Sequence, residues 1–278
     1  MENLRLLLTY VSTPYYTAES VAKEQGIIGQ EICMSEDNPG YAGYFQLLGA
    51  LYERHPIRDN IAGSIESIAA ITPETLYHCH SVFYNPSNMA LCCVGDVDPE
   101  AILAAAREIL PETPGEKPER DYGAPETLLP RCGRAEKTMS VSAPQFLLGA
   151  KLPYLTTGAE RARQKLLCEL AFECFMGEAS PLYNDLYAKG LLNRSFSTEY
   201  DSSAGTATLL FGGESRDPDA VAAAVQEALS AVALRGMDAA AFERCRRTKY
   251  GQMLSTLDFF SDYAVALSDG WLDGWDAL

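Results

Sequence analysis

Histidine is scarce in this chain. There are three in 278 residues, and two of them share one tripeptide, His78-Cys79-His80. Chemistry that leans on imidazole therefore has few places to sit. Cations are also short, with 22 Lys and Arg against 38 Asp and Glu and a formal net charge of -16. That balance argues against nucleic-acid binding, which needs clustered Lys and Arg to neutralise phosphates. An acidic surface fits either simple solubility or attraction for basic peptides. No run reaches the eighteen or so apolar residues of a membrane span, so no membrane partner is expected. The N-terminal MENLRLLLTYV is apolar but has no basic leader and no small-residue cleavage site. It reads as an amphipathic helix rather than a signal peptide. No Cys-x-x-Cys occurs among the eight cysteines (Cys33, Cys79, Cys92, Cys93, Cys132, Cys168, Cys174, Cys245). Several lie in apolar stretches such as Ala90-Leu91-Cys92-Cys93-Val94, which suggests reduced core residues in a cytoplasmic protein.

What is present supports a folded chain. Apolar residues make up 47% and charged residues 22%, enough for packed cores and too little charge for disorder. The length suits two domains of ordinary size. Between Pro111 and Pro130 the segment PETPGEKPERDYGAPETLLP holds five prolines among Gly and charges, an extended composition that packs poorly. The expected division is residues 1–112, a Pro-rich linker over 113–129, and residues 130–278.

Helix starts are legible. Thr72-Pro73, Asp98-Pro99, Ser180-Pro181 and Asp217-Pro218 each place a capping residue before a Pro at the first helical position. The cap satisfies orphan amides, and Pro loses nothing where its N–H would have had no partner. The helix from Pro181 is expected to end at Gly190. Met89 to Val94 reads as a short buried strand ending at Gly95-Asp96. Ser195–Tyr200 and Thr206–Phe211 flank a polar turn and suggest a hairpin. Glu160 to Met176 reads as a core helix with Leu166, Leu167, Leu170, Phe172 and Phe175 inward. The fold class is α+β, with mixed helices and mainly antiparallel sheet. One internal echo stands out: Cys93-Val-Gly-Asp-Val-Asp-Pro-Glu-Ala resembles Phe211-Gly-Gly-Glu-Ser-Arg-Asp-Pro-Asp-Ala. It fits either a shared helix-start pattern or two related domains in tandem.

Glu24 and Glu31 lie seven residues apart in VAKEQGIIGQE, close to two helical turns, so both carboxylates share one face. By spacing alone this is a solvated acidic stripe. Gly26 and Gly29 each cost such a helix about 1 kcal/mol relative to Ala, and the close approach of another element would justify them.

The segment TPYYTAESVAKEQGIIGQEI, continued by DNPGYAGYFQLLGALYERHPIRDNIAGSIESIAAITPETLYHCHSVFYNPSNMALCCVGDVDPE, resembles the pitrilysin/insulinase family of zinc metallopeptidases, close to bacterial processing-protease-like members. The resemblance makes Glu31 the family's third zinc ligand and Glu24 a supporting carboxylate. It implies two tandem related domains, the first incomplete. The family's His-x-x-Glu-His motif supplies two His ligands and the general base, and it should lie roughly seventy to eighty residues before Glu31. Only thirty residues precede Glu31, and the chain contains no such motif. A lone carboxylate is a poor zinc site, and no base would activate a metal-bound water. The expectation is therefore zinc in intact relatives, no cofactor for this chain alone, and a truncated, C-terminally incomplete family member without peptidase activity of its own.

Other residues were weighed. On a helix from Pro73, His78 and Cys79 point about 100° apart with no ligand at i+4, so a metal or small-molecule site there is disfavoured. His55, in Arg54-His55-Pro56, matches a His-Pro loop of the family and reads as structural. Ser67 and Ser87 lack a His and Asp constellation. Leu182 to Phe196 resembles the family's second-domain motif, in which an Arg, and a Tyr seven residues later, hold substrate backbone. Here those positions are Tyr187 and Arg194, the same residue types exchanged. They serve either as a peptide clamp or as a surface pair flanking a helix end. Arg244, Arg246, Arg247 and Lys249 occupy the second-domain helix Met237–Leu257 where metal carboxylates would be needed. That points to a solvated basic face and an inactive second domain. The expected partners are a peptide or protein substrate and either a second copy, as a homodimer, or a catalytic partner chain. The alternative function is a non-catalytic peptide-binding or partner subunit.

Overall fold

The computed structural model describes residues 2–111, 115–203 and 205–275. The expected boundary at 112, the first two linker residues and the last three residues of the chain lie outside the described residues. The first part is helical: α1 (Glu2–Ser12), α2 (Ala18–Glu36), α3 (Pro39–Leu51), α4 (Ile65–Ala69), α5 (Pro73–Phe83) and α6 (Pro99–Ile109). Described residues 115–144 are irregular. Then follow β1 (Gln145–Leu152), α7 (Gly158–Met176), α8 (Pro181–Ala188), β2 (Ser197–Asp201), β3 (Ala207–Glu214), α9 (Pro218–Arg235), α10 (Ala239–Thr256) and α11 (Phe260–Asp273).

The capping residues act as their chemistry requires. Thr72, Asp98, Ser180 and Asp217 accept backbone N–H bonds from Thr75, Glu100, Tyr183 and Ala220, each with Pro at the helix start. The helix from Pro181 gives way at Gly190, whose φ of 64° suits glycine. The hairpin forms as β2 and β3, and β1 adds to the far side of β3, giving an antiparallel sheet ordered β1-β3-β2.

Two clusters form the core. Met176, Tyr183, Leu186, Leu192, Val221 and Val225 are buried under the sheet's Phe146 and Phe211. Leu48, Leu51 and Tyr52 form the other, with Tyr44, Phe45, Leu47 and Ile57 around them. Helix α3 packs on β1. The approach is so close that a Cβ at Gly149 would meet Leu47 and Leu51 methyls at 3.0 Å.

Three expectations are corrected. Residues 89–94 form no strand; they are extended, partly exposed and without a ladder partner. A strand exists by its hydrogen-bonded neighbour, and the described residues of the first part contain none. The cysteines are free, but none is a core residue: Cys33, Cys79, Cys93 and Cys132 are exposed and the other four half-buried. Leu167 faces outward, while Leu170 from the same helix is buried. The 93–101 and 211–220 segments thus share the Asp-Pro helix start but not the strand before it.

Candidate functional site

Helix α2 carries the candidate ligand. Thr17 opens it with a capping box, accepting from the Ser20 amide while Ser20 Oγ accepts from the Thr17 amide. Val21 and Ile32 are buried and define its inward stripe. At 100° per residue, Glu24 and Glu31 lie together on the flank of that stripe, and both are exposed. Gln25 fixes the neighbouring α4 turn, its Nε2 donating to the Ile68 and Ile71 carbonyls at 2.9 and 2.8 Å. On the opposite face an open groove of about 670 Å³ runs past Gly26, Gly29, Cys33, Met34 and Ile65. A Cβ at Gly26 or Gly29 would meet nothing within 4 Å, so among the described residues no element uses the space they leave.

The donor set does not fit zinc. Among the described residues no group of three or more His, Cys, Asp or Glu gathers to hold a metal ion. Two exposed carboxylates alone leave a zinc ion short of its four ligands. His80 is committed elsewhere: its Nε2 is 2.6 Å from the Val11 carbonyl and its ring stacks on Tyr84 at 5.0 Å, tying α5 to α1. His78 and Cys79 are exposed.

Tyr187 and Arg194 meet around one residue. Tyr187, exposed on α8, stacks on Tyr183 at 5.9 Å. Burial and the charge of Glu178 raise the Tyr183 hydroxyl pKa, and the positive charge of Arg194 pulls it down. Both candidate clamp residues therefore border the same phenol. Helix α8 packs on α7 and α9, whereas α2 packs on α3 and α4, so this patch and Glu31 belong to separate neighbourhoods. The basic run on α10 is largely self-satisfied. Arg246 and Arg247 share Glu243 at 2.8 and 2.9 Å, and their hydrogen bonds hold its carboxyl at about 2.

The most connected polar cluster is one that sequence reasoning missed. Glu126, within the Pro-rich stretch, accepts from the amides of Glu53, Arg54 and His55 at 3.0, 2.5 and 2.7 Å. It also accepts from Lys151 Nζ at 3.2 Å. Burial pushes its carboxyl up, but the bonds from Arg54, Glu53, His55 and Lys151 outweigh it and hold it at about 2. Lys151, on β1, also lies 5.0 Å above the Tyr52 ring, and the buried Tyr52 hydroxyl meets Thr208 Oγ1 at 2.5 Å. His55 is buried, as its structural reading requires: its Nδ1 accepts from the Ile57 amide and its ring stacks on Tyr122. Further along, the Arg131 and Cys132 amides donate to the Leu51 and Ala50 carbonyls at the end of α3. The Pro-rich stretch is therefore a packed strap rather than a loose connector. Only the His-Pro pair signalled this cluster, because Glu126 owes its position to amides some seventy residues away.

Comparison with known proteins matches these features. A family model described as the peptidase M16 inactive domain covers residues 70–249. The uncharacterized zinc protease YmfH of Bacillus subtilis is 37% identical over 269 residues, covering 92% of this chain and 60% of its own. A solved structure described as M16-like, from Alicyclobacillus acidocaldarius, superposes with a TM-score of 0.88 at 33% identity, over 98% of this chain and 65% of that one. A chain of complex III2 from Candida albicans shares the fold, with a TM-score of 0.74 at 13% identity over 98% of this chain and 66% of that one. The chain thus spans less than two thirds of the length of these relatives. It belongs to the M16 peptidase family, and residues 70–249 match that family's inactive domain.

Proposed function

We propose that this chain is a non-catalytic portion of an M16 zinc peptidase assembly, inactive alone and contributing Glu31 as one zinc ligand to a site completed by a chain that carries His-x-x-Glu-His. The observation that carries this reading is the exposed Glu24–Glu31 pair on α2, in a family member whose sequence has no such motif. YmfH's description as a zinc protease supports zinc in intact relatives. In this reading residues 1–112 are the back of a first peptidase-like domain, 113–129 the connecting strap, and 130–278 the second, inactive domain. Arg194 and Tyr187 present a hydrogen-bond donor and a ring to a peptide backbone.

The test is zinc content of the purified chain, wild type and Glu31→Ala, measured by plasma mass spectrometry, alone and co-expressed with a family chain bearing the motif. The expected result is far less than one zinc per molecule for the chain alone. In the co-expressed complex, zinc should be retained by wild type and depleted in Glu31→Ala. Stoichiometric zinc in the chain alone, lost on substitution and accompanied by peptide hydrolysis, would overturn the reading.

A second reading, a partner subunit that binds without any role at zinc, is favoured by the exposed apolar side chains on and beside α11. Phe259, Phe260, Trp271 and Leu272 are each 60% exposed or more. The fold also occurs in a subunit of a multi-chain complex in Candida albicans. It predicts a stable complex whose zinc content is indifferent to Glu31→Ala.

A further inference from the structure

We propose that Cys174 and Cys245 form a redox-responsive thiol pair, and that its oxidation to a disulfide staples α7 to α10. The two helices pack on each other. Glu169 on α7 pairs with Lys249 on α10 at 2.6 Å. Cys174 lies five residues after Glu169, and Cys245 four residues before Lys249. At about 1.5 Å per residue those offsets are roughly 7.5 and 6 Å in opposite chain directions, so one antiparallel register satisfies both pairs. The thiols are in hydrogen-bond contact, and both residues are half-buried rather than sealed. From that contact a short approach of the sulfurs reaches the S–S bond length of about 2 Å.

The environment assigns the roles. Burial first, then the hydrogen bond and charge of Cys245, push the Cys174 thiol up to about 12, while the Arg244 guanidinium pulls the other way. Cys174 is therefore the proton-holding partner, and Cys245 is the sulfur on which oxidation starts. Hydrogen peroxide is the two-electron oxidant. The Cys245 sulfur, as thiolate, attacks one peroxide oxygen; the O–O bond breaks, and the departing oxygen leaves as water after taking a proton. Cys245 is then a sulfenic acid. The Cys174 sulfur attacks it, an S–S bond forms, the S–O bond breaks, and hydroxide takes the Cys174 proton to leave as water. Two thiols and one peroxide give one disulfide and two waters.

The link would close a loop of about seventy residues holding α8, β2, β3 and α9, which restricts the unfolded chain. The experiment exposes the purified chain to stoichiometric hydrogen peroxide, blocks remaining thiols, and maps chymotryptic peptides by mass spectrometry without reduction. Thermal unfolding is followed before and after dithiothreitol. The expected result is a peptide pair joined through Cys174 and Cys245, with Tm raised by roughly 5–10 °C and restored by dithiothreitol. Cys174→Ser and Cys245→Ser should each abolish the rise. Oxidation of other cysteines with no 174–245 link would overturn the proposal, and that result needs no variant to fold. A Tm rise that survives in Cys174→Ser would overturn it equally.

Discussion

Glu126→Gln tests the strap directly. The wild-type carboxylate collects three consecutive backbone amides, from Glu53 to His55, and the Lys151 ammonium, with its side chain 12% exposed. Gln offers one oxygen where the carboxylate offered two, brings two donors among donors, and leaves Lys151 without its counter-charge. Hydrogen bonds to charged groups contribute about 1.5–3 kcal/mol each in net terms, and they do not add. A carboxyl held at about 2 instead of 4.5 stabilises the fold above the ordinary carboxylate range and loses that stabilisation as pH falls from 4.5 towards 2. The full linkage bounds the effect at about 3 kcal/mol, and screening at this partly open site brings the expectation to about 2 kcal/mol. Urea unfolding at pH 6.5 should show Glu126→Gln less stable than wild type by that amount. At pH 3 more than half of the difference should be gone, because the unfolded carboxyl is protonated there in wild type. An equal difference at both pH values would refute the electrostatic account and leave only a packing role.

Two further changes probe other levels. Leu186→Ala removes a side chain 1% exposed at the centre of the larger core, and should cost about 2–5 kcal/mol in urea unfolding; a cost below 1 kcal/mol would mean the cluster is not a cooperative core. Gly29→Ala in α2 should stabilise by about 1 kcal/mol, since its Cβ meets nothing within 4 Å, and a lower urea midpoint would contradict the open space.

The helices were legible because their signals are local. Thr72, Asp98, Ser180 and Asp217 each sit beside a Pro and cap amides two or three residues on, so a window of five residues contains the whole cause. Strands failed in both directions for the opposite reason. Met89–Val94 has the composition of a buried strand but no partner among the described residues, whereas Gln145–Leu152, broken by Gly149, becomes β1 through a β3 some sixty residues later. The shared face of Glu24 and Glu31 followed from helical period alone. Glu126 was invisible, because a carboxylate among prolines reads as solvent-exposed until the amides of 53–55 are placed against it.

The closeness of α3 to β1 also bears on how the chain is made. Leu47 and Leu51 are covered by a strand centred on Gly149, about a hundred residues downstream. At the usual 5–20 residues per second, the ribosome delivers that cover roughly 5–20 s after the leucines emerge. For that interval the nascent helix shows a greasy face with no partner of its own, a natural binding site for a chaperone. Slowing translation between residues 51 and 145 should therefore lower the soluble yield more than the same delay placed after residue 214.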